Sequence, residues 1–356
     1  MTPAASLFSH VTAMTDDVGL FEHARFDVPS PEHGYCVDDV ARALVAICRA
    51  GTTTPGGAPD LAAALEVADL SVDDPAALGQ LARVYLAFVA AAQTDDGAVV
   101  NRRGSDGSHR GPATLDDCWG RSLWALGTAA ARATDLSEQA TALFARGAVR
   151  RSPWLRAMAF AGLGAAEILR IDPGRTDARA LLADAAGAVM SAGRRDRWWP
   201  EERLTYANAA LPDVLMAAGD CLHRDDLTRR GLSMLDRLLR LQLRDGHLSL
   251  VPVAGWAAGE SLPAFDQQPI EAATLADACA RAFDLTAEAR WADAVDLCAR
   301  WFLGVNDAGV ALYDAATGGC CDGLEPDGRN ENQGAESTLA LITTIQHASR
   351  LTGSGR

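Results

Sequence analysis

Alanine-rich segments in which apolar residues recur at spacings of three and four positions run through the whole sequence, whereas alternating strand patterns are few and short. This periodicity predicts a nearly all-helical chain. Capping residues, prolines and glycines divide the pattern into about twelve helices. They are predicted to begin near Val37, Asp60, Pro75, Leu115, Leu136, Pro153, Thr176, Ala207, Asp225, Ile270, Ala287 and Ala335.

The links between these helices differ in length in a regular way. Links such as 172–174 and 223–224 are short enough to force the flanking helices into antiparallel hairpins. The remaining links are long and each precedes one helix of a hairpin, so they meet at one rim if those helices form the inner ring of a closed toroid. We therefore predict a single all-α (α/α)6 barrel over residues 1–356, with its binding face on that rim. Rim loops are expected near 94–114, 193–206, 244–268 and 304–334.

Composition and charge exclude several classes of function. Hydrophobic residues make up 49% of the 356 positions and charged residues 22%, as in folded globular proteins rather than disordered ones. A formal net charge of -15 disfavours binding to nucleic acid or to an anionic membrane surface, which requires clustered lysine and arginine. The first residues lack a signal-peptide pattern, and no uninterrupted apolar run reaches membrane-spanning length. We expect a soluble cytoplasmic protein with a neutral ligand, and neither nucleic acid nor membrane as a partner.

The eight cysteines give little support to a metal site or a disulfide framework. Most of them, Cys36 and Cys48 among others, are scattered through helical segments as small hydrophobic residues. Only Cys320 and Cys321 are adjacent, and no Cys-x-x-Cys motif is present. We therefore expect neither a metal nor another cofactor.

Acidic residues stand at five junctions where a loop passes into a predicted helix. A first-turn carboxylate stabilises the N-terminus of a helix, and Asp38 could also pair with Arg42 four residues later. If the ring closes, however, the five acids would converge, and hydrolysis of a glycosidic bond needs one protonated carboxyl and one carboxylate. Clustering itself raises the pKa of one member. The candidate catalytic residues are Asp38, Asp117, Glu201, Glu271 and Glu336.

Aromatic and amide side chains surround these acids in the sequence. Sugars present flat C–H faces that stack on aromatic rings, and hydroxyl groups that pair with amides and carboxylates. Two alternatives stay open: Trp199 could belong to an aromatic plug in the barrel floor, and Gly120 could serve close helix packing. The candidate ligand-binding residues are Tyr35, Asp39, Arg42, Trp119, Arg121, Trp199, Tyr206, Asn208, Trp256, Asp266, Gln267, Gln268, Asn332 and Gln333.

A short internal repeat supports the hairpin arrangement. Residues 38–44 and 117–123 align so that an acid, an arginine and a leucine occupy the same relative positions. This alignment predicts that Arg42 and Arg121 occupy equivalent places on two inner helices. There they could orient carboxylates or sugar hydroxyl groups.

Six short motifs that match one known family are spread over nearly the whole chain. They are Gly34-Tyr-Cys-Val-Asp-Asp39, Trp119-Gly-Arg121, Leu204-Thr-Tyr-Ala-Asn208, Phe265-Asp-Gln-Gln-Pro-Ile-Glu271, Thr317-Gly-Gly-Cys320 and Asn332-Gln-Gly-Ala-Glu-Ser-Thr338. In these motifs the chain resembles a bacterial family of six-hairpin glycosidase-like domains, which occur alone or fused behind glycosyltransferase modules. The resemblance implies an (α/α)6 toroid and a carbohydrate context, with mannose-containing glycans among the candidate ligands. It also makes a glycosyltransferase a candidate partner. The sequence departs from the pattern at Pro200, where similar sequences often have an aromatic residue.

The residues favour hydrolysis of a glycosidic bond, by an inverting course, over several alternatives. A non-catalytic glycan-binding or glycosyltransferase-partner module would need only the aromatic and amide residues. Epimerisation or isomerisation would need histidine bases, and His33, His109 and His247 fall near the rim without an obvious pair. Phosphorolysis or glycosyl transfer would need an anion site, for which 102–103 and Arg110 are the candidates. The acidic pairs also resemble those of terpene cyclases, but a rim rich in glutamine, asparagine and arginine does not suit an apolar substrate.

Overall fold

A computed structural model describes residues 5–50, 74–192 and 197–352, and twelve α-helices lie within these ranges. They are α1 (Ser9–Ala13), α2 (Val37–Ala50), α3 (Pro75–Ala92), α4 (Asp117–Arg132), α5 (Ser137–Ala148), α6 (Leu155–Ile171), α7 (Thr176–Ser191), α8 (Ala210–Cys221), α9 (Asp225–Gln242), α10 (Pro269–Thr286), α11 (Ala289–Phe302) and α12 (Ala335–Thr352).

The helix starts agree closely with the expected ones. The largest offset among the described helices is three residues, at α8, which begins at Ala210 where Ala207 was predicted. Local signals explain the agreement: α3, for example, begins with Pro75 after Asp74, whose carboxylate accepts the backbone N–H of Ala76. The short helix α1 was not predicted. The helix predicted near Asp60 lies outside the described residues.

Six of the helices form a closed inner ring. The helices α2, α4, α6, α8, α10 and α12 contact one another in this order, and α12 in turn contacts α2. The intervening helices α3, α5, α7, α9 and α11 pack against them as antiparallel partners. The protein is therefore an all-α (α/α)6 barrel, and the predicted fold class is confirmed.

The long segments that precede the inner helices lie at one rim and contain the short strands. The largest sheet has three strands in the order β3 (Tyr35–Cys36), β4 (Val99–Arg103) and β5 (His109–Thr114). Because β3 runs directly into α2, this sheet fixes the start of α2 beside the 94–114 loop. The other segments contain four two-stranded hairpins: β1 (Ala24–Arg25) with β2 (Val28–Pro29), β6 (Leu243–Arg244) with β7 (His247–Leu248), β8 (Tyr313–Asp314) with β9 (Gly319–Cys320), and β10 (Gly323–Glu325) with β11 (Gly328–Asn330). Of the predicted 193–206 loop, residues 193–196 lie outside the described ranges.

Glycines allow the inner helices α4 and α6 to approach closely. A Cβ built at Gly120 would collide with the backbone carbonyl of Ala157, and one built at Gly127 would collide with the carbonyl of Gly164. Gly164 in turn faces the carbonyl of Leu123. Backbone atoms cannot rotate away from such a collision, so a side chain here would separate the helices. Close helix packing therefore explains Gly120.

Charged side chains gather at the end of the barrel opposite the rim. Arg49, in the last turn of α2, donates to Asp277 at 2.6 Å, and the imidazole of His347 lies 2.7 Å from the same carboxylate. Arg350 in α12 pairs with Asp284 at 2.7 Å. These groups line a cavity of about 190 Å³ at the C-terminal ends of inner helices. Ion pairs line this end of the barrel, and the Arg49 guanidinium lies 5.3 Å from the ring centroid of Trp124. Trp199 is not part of this floor, because it belongs to the rim segment that leads into α8.

Helix α3 is the one helix among the described residues that is long and apolar enough to cross a membrane. The same property is shared by core helices of proteins that never enter a membrane. In the barrel α3 packs against α2, and its Leu78, Tyr85, Phe88 and Val89 side chains are buried. Its apolar face is therefore accounted for by the barrel core.

Candidate active site

A cavity of about 330 Å³ opens at the rim where α2 and α12 begin. Because the N-termini of two helices point toward it, backbone N–H groups favour negative charge here. Five of the residues proposed from the sequence line it, and the other lining residues come from the 22–36 segment, β4, the segment before α12 and the first turn of α12. The lining residues are Glu22, His23, Cys36, Asp38, Asp39, Arg42, Arg102, Gln268, Asp322, Gly334, Glu336 and Ser337.

The Arg42 guanidinium binds two carboxylates of this cavity at once. It donates to Asp39 Oδ1 at 2.7 Å and to Glu336 Oε2 at 2.5 Å. The side chain of Asp39 is 6% exposed and that of Glu336 is 38% exposed, so the two carboxylates differ in access to water. The two carboxylates therefore share one counter-ion, the Arg42 guanidinium, but differ in their exposure to water.

The two carboxylates also differ in proton affinity. Burial raises the pKa of Asp39 to about 7, because the loss of hydration and the nearby Glu336 charge outweigh the attraction of Arg42. Burial acts in the same direction on Glu336, but Arg42 and Arg121 outweigh it and hold the pKa of Glu336 below its usual value. Near neutral pH one group can carry a proton while the other is ionised.

Arg121 forms a second bridge between carboxylates, one helix further round the ring. Its buried guanidinium lies 3.3 Å from Asp38 and 3.8 Å from Asp117, and it rests 4.2 Å from the ring centroid of Phe160. Asn101 of β4 donates its amide to Asp38 at 3.0 Å. Like Arg42, Arg121 therefore bridges two carboxylates, but the partners are not the equivalent ones. The expected pair of Asp38 with Arg42 is not formed, because Arg42 pairs with Asp39 and Asp38 lies next to Arg121.

Arg156, at the start of α6, forms a third bridge and was missed by the sequence analysis. It is buried, donates to Glu201 and to the backbone carbonyl of Tyr206, and lies 3.2 Å from the side-chain oxygen of Asn208. The Tyr206 hydroxyl donates to Asp117 at 2.8 Å, which connects this bridge to the previous one. No acid stands beside Arg156 in the sequence. The sequence signal that could have identified Arg156 is its position near the N-terminal end of a predicted inner helix, which Arg42 shares.

Glu271 holds the loop that carries Tyr206. Its buried carboxylate accepts the backbone N–H groups of Ala207 and Asn208 and the side-chain amide of Asn208 at 2.9 Å. Burial raises the pKa of Glu271 to about 6, although the hydrogen bonds from Asn208 oppose the shift. Ala207 has a φ of +45°, a strained value that this carboxylate helps to fix. All five predicted carboxylates therefore belong to one set of neighbouring contacts at the rim.

Several candidate ligand-binding residues are buried and already engaged with the protein. The Tyr35 hydroxyl donates to Asp16 at 2.6 Å, and the Trp119 indole donates to the carbonyl of Gly147. Gln267 is fully buried, and its side-chain oxygen accepts from the Trp301 indole and the Leu250 backbone. The Gln333 side chain bonds to Thr317 and Asp314. In this structure these four side chains, Tyr35, Trp119, Gln267 and Gln333, hold the rim together from within.

The other candidates take varied positions. Trp199 and Trp256 line a second, smaller pocket beside Glu201. Asp266 is exposed, and the Asn332 side chain accepts the backbone N–H of Phe26 at 2.9 Å. Gln268 lines the mouth cavity itself. The predicted set is therefore divided between the cavity, the second pocket and the rim framework.

His23 is the histidine that lines the cavity, and the sequence analysis did not single it out. Its ring lies 5.0 Å from that of His33 in an edge-on arrangement. Burial first, and then the neighbouring His33, lowers the pKa of His23, so its imidazole is neutral at neutral pH. His247, by contrast, lies 3.2 Å from Asp307.

One group of side chains among the described residues has the spacing of a metal site. The ligand atoms of Glu22, Cys36 and Asp39 lie within 4.8 Å of one another. Two of the three already have a guanidinium partner, because Arg102 pairs with Glu22 and Arg42 pairs with Asp39. Two fixed cations next to the ligands would repel a divalent ion. The donor set is therefore poorly suited to a metal.

Comparison with known proteins gives structural but not sequence matches. No family model matches the sequence, and no curated protein matches it. A sugar epimerase from a ruminal bacterium superposes with a TM-score of 0.71 over 98% of this chain and 95% of its own, at 12% identity. The cellobiose 2-epimerase of Spirochaeta thermophila gives 0.66 over 97% and 93%, also at 12% identity. A family 9 endoglucanase gives 0.57 over 93% and 74%, again at 12% identity.

These neighbours are six-hairpin (α/α)6 proteins. The chain has their fold. At such low identity the likeness extends to architecture alone, and the neighbours include both enzymes that isomerise sugars and enzymes that cleave chains of them. The chemistry of this chain therefore depends on the residues of its own cavity.

Proposed function

We propose that this protein is a cytoplasmic carbohydrate-active enzyme that hydrolyses a glycosidic bond in the mouth cavity. The observation that carries the proposal is the pair of carboxylates on Arg42. Asp39 has a pKa raised to about 7, whereas Glu336 has a lowered pKa and is more exposed. Glycoside hydrolysis needs one carboxyl that donates a proton and one carboxylate that accepts one.

In the proposed reaction Asp39 is the general acid and Glu336 the general base. Asp39 gives its proton to the glycosidic oxygen while the bond from that oxygen to the anomeric carbon breaks. Glu336 takes a proton from a water molecule, whose oxygen forms the new bond to the anomeric carbon. We expect an inverting course, in which Glu336 holds the water molecule on the side of the sugar opposite Asp39. Arg42 fixes the position of both groups.

The activity test is a panel of oligosaccharides, with cellobiose and mannobiose first, incubated with and without inorganic phosphate. We expect release of monosaccharide without phosphate, with the new anomer inverted when followed by ¹H NMR. Turnover that requires phosphate would indicate that the protein is a glycoside phosphorylase and not a hydrolase. Binding without turnover, unchanged in Asp39→Asn and Glu336→Gln, would contradict the proposal and favour a glycan-binding module or a partner of a glycosyltransferase.

Epimerisation or isomerisation of a sugar is a second candidate, and it is supported by His23. A neutral imidazole on the cavity wall could remove a proton from the carbon next to a sugar carbonyl. The same panel in D₂O separates the candidates, because this proton exchanges with solvent. A product of unchanged chain length that carries deuterium at that carbon, and that is lost in His23→Ala, would favour epimerisation over hydrolysis.

The pH dependence should report both carboxyl groups. A general acid must be protonated, so kcat/KM should fall as the pH rises through about 7, the raised pKa of Asp39. A general base must be ionised, so the rate should fall on the acid side only below the usual glutamate range, because the pKa of Glu336 is lowered. Profiles of wild type and Asp39→Asn check this expectation. An alkaline limb near pH 7 that persists unchanged in the asparagine variant would contradict the role of Asp39.

A further inference from the structure

The cavity of about 190 Å³ at the end of the barrel opposite the rim, the floor cavity, shares no lining residue with the mouth cavity. Five arginines and four acidic residues line it, so its formal charge is positive although the whole chain carries -15. His347 adds no charge at neutral pH, because burial lowers the pKa of its imidazole. The five arginines are Arg49, Arg132, Arg170, Arg281 and Arg350.

Two of the acidic residues lie behind the arginines with which they pair. The side chain of Glu167 is 8% exposed, whereas that of its partner Arg132 is 22% exposed. The side chain of Asp213 is 3% exposed, whereas that of its partner Arg281 is 24% exposed. A ligand that enters the floor cavity therefore meets these guanidinium groups before it meets their carboxylates.

The other two acidic residues are already held by donors from the protein. Oδ1 of Asp277 lies 2.6 Å from Arg49 and 2.7 Å from His347. Both carboxylate oxygens of Asp284 accept from Arg350, at 2.7 and 3.1 Å. The acids of the floor cavity thus have their own counter-ions and do not form a cation site.

Three of the guanidinium groups have donors that the protein does not use. Arg132 lies 3.6 Å from Glu167, beyond hydrogen-bond distance, and neither Arg132 nor Arg170 donates a hydrogen bond to any described residue. Arg170 is exposed and has no ion-pair partner within the described ranges. Arg281 donates its Nε to Asp213, which leaves both of its Nη groups available.

These unused donors are close enough to one another for their charges to interact. Burial lowers the pKa of Arg132, and the charges of Arg49 and Arg170 act in the same direction against that of Glu167. Each of these three arginines stands in the last turn of an inner helix, where the helix dipole favours a cation. The dipole accounts for each arginine singly, but it does not account for unused donors from neighbouring helices around one cavity.

We propose that the floor cavity binds one phosphate group, either as inorganic phosphate or as part of a phosphomonoester. A planar guanidinium binds phosphate oxygens through pairs of N–H donors, and Arg132, Arg170 and Arg281 approach the cavity from the three inner helices α4, α6 and α10. A cavity of this size has room for several water molecules and therefore for a phosphate ion. A neutral ligand would leave the repulsion between the arginines uncompensated.

Stacked side chains separate this site from the mouth. The Arg49 guanidinium lies 5.3 Å from the ring centroid of Trp124, which in turn stacks on Phe160 at 5.7 Å. Arg121 rests on the Phe160 ring at 4.2 Å and lies 3.3 Å from Asp38 of the mouth cavity. Phosphate in the floor cavity is therefore not in contact with a substrate in the mouth, and the proposal does not depend on hydrolysis there.

The test is isothermal titration calorimetry of the full chain with inorganic phosphate and with glucose 6-phosphate, and with glucose as the neutral control. Sodium chloride keeps the ionic strength constant, because salt screens exposed charges. We expect saturable binding of at least one of the two anions, at one site per chain, and no binding of glucose. Arg170→Gln should weaken this binding about tenfold, as loss of one charge-assisted hydrogen bond does, and Arg170→Glu should abolish it.

Arg300→Gln is the matched control, because Arg300 also stands in the last turn of a helix but is exposed, pairs with Asp296 and lies outside the cavity. Arg132→Gln, which should weaken binding as Arg170→Gln does, tests a second donor of the site. Absence of saturable binding of both anions, or equal Kd values in Arg170→Glu and Arg300→Gln, would overturn the proposal. Tighter binding of glucose 6-phosphate than of phosphate would identify a phosphomonoester as the ligand, and the reverse order would identify free phosphate.

Discussion

Glu336→Gln is expected to lower kcat by about 100-fold or more, because general acid–base catalysis by a positioned side chain contributes about 10²–10⁴-fold. Glutamine has nearly the same shape and can still accept a hydrogen bond from Arg42, so the cavity should keep its form. What disappears is the ability to take a proton from water. Initial rates on the best substrate of the panel, with circular dichroism to verify folding, measure the effect.

Asp39→Asn should have a comparable effect on kcat for the opposite reason. Asparagine preserves the acceptor that Arg42 uses but carries no acidic proton for the leaving oxygen. Substrates with a good leaving group, such as nitrophenyl glycosides, need less help from the acid and should lose less activity. A loss that is equal for all leaving groups would contradict the assignment of Asp39 as the acid.

Glu331→Gln is the matched control for both variants. Glu331 lies in the segment before α12, is mostly exposed and pairs with Arg329 rather than with a cavity residue. Its substitution should leave kcat within about twofold of wild type, since isolated surface ion pairs contribute little. If Glu336→Gln and Asp39→Asn both resemble this control, the two carboxylates are not the catalytic pair.

Gly164→Ala is expected to lower the free energy of unfolding by about 3 kcal/mol, at the upper end of the range for overpacked cores. The added methyl group would collide with the carbonyl of Leu123 and lie 2.8 Å from Cα of Trp124, and both are backbone atoms of α4. Helices α4 and α6 must separate to admit it. Denaturant unfolding followed by circular dichroism gives the change.

Gly187→Ala is the same chemical change, but it is expected to raise the free energy of unfolding. Gly187 is also inside a helix, α7, but a Cβ there would meet nothing within 4 Å. Replacing an unconstrained helical glycine with alanine stabilises a helix by roughly 0.5–1 kcal/mol. The two variants should therefore move the unfolding midpoint in opposite directions. No effect of Gly164→Ala would contradict the packing of α4 on α6, and destabilisation by Gly187→Ala would contradict the open space at that position of α7.

The carboxylates of the site could be predicted because they stand at positions that the fold must expose. Helix starts follow from local spacing and capping, and the long segments identify which starts face the rim. Once the ring closes, first-turn acids such as Asp38, Asp117 and Glu336 have to point toward a shared space. Glu271 lies in the same ring but is occupied by loop amides, a distinction that local sequence does not carry.

Partners that are distant in the chain could not be predicted in this way. Arg156 acquires its role from Glu201 and Asn208, about fifty positions away, and His23 reaches the cavity through a loop without helical spacing. The aromatic residues show the same limit. Trp119 and Trp199 were both expected to contact a ligand, but one bonds to the carbonyl of Gly147 in the core and the other lines a pocket.

Apolar spacing and link length act over short stretches of chain, so the amino-acid sequence was enough to predict most of the described helices, their antiparallel order and the rim that carries the acids. Tertiary structure decided which acid keeps a proton. Asp39 and Glu336 both stand in first turns and share Arg42, but loss of hydration outweighs the arginine charge at Asp39 and raises its pKa, whereas Arg42 and Arg121 outweigh it at Glu336 and lower its pKa. Burial depends on every element packed around a group, and no local pattern encodes that sum.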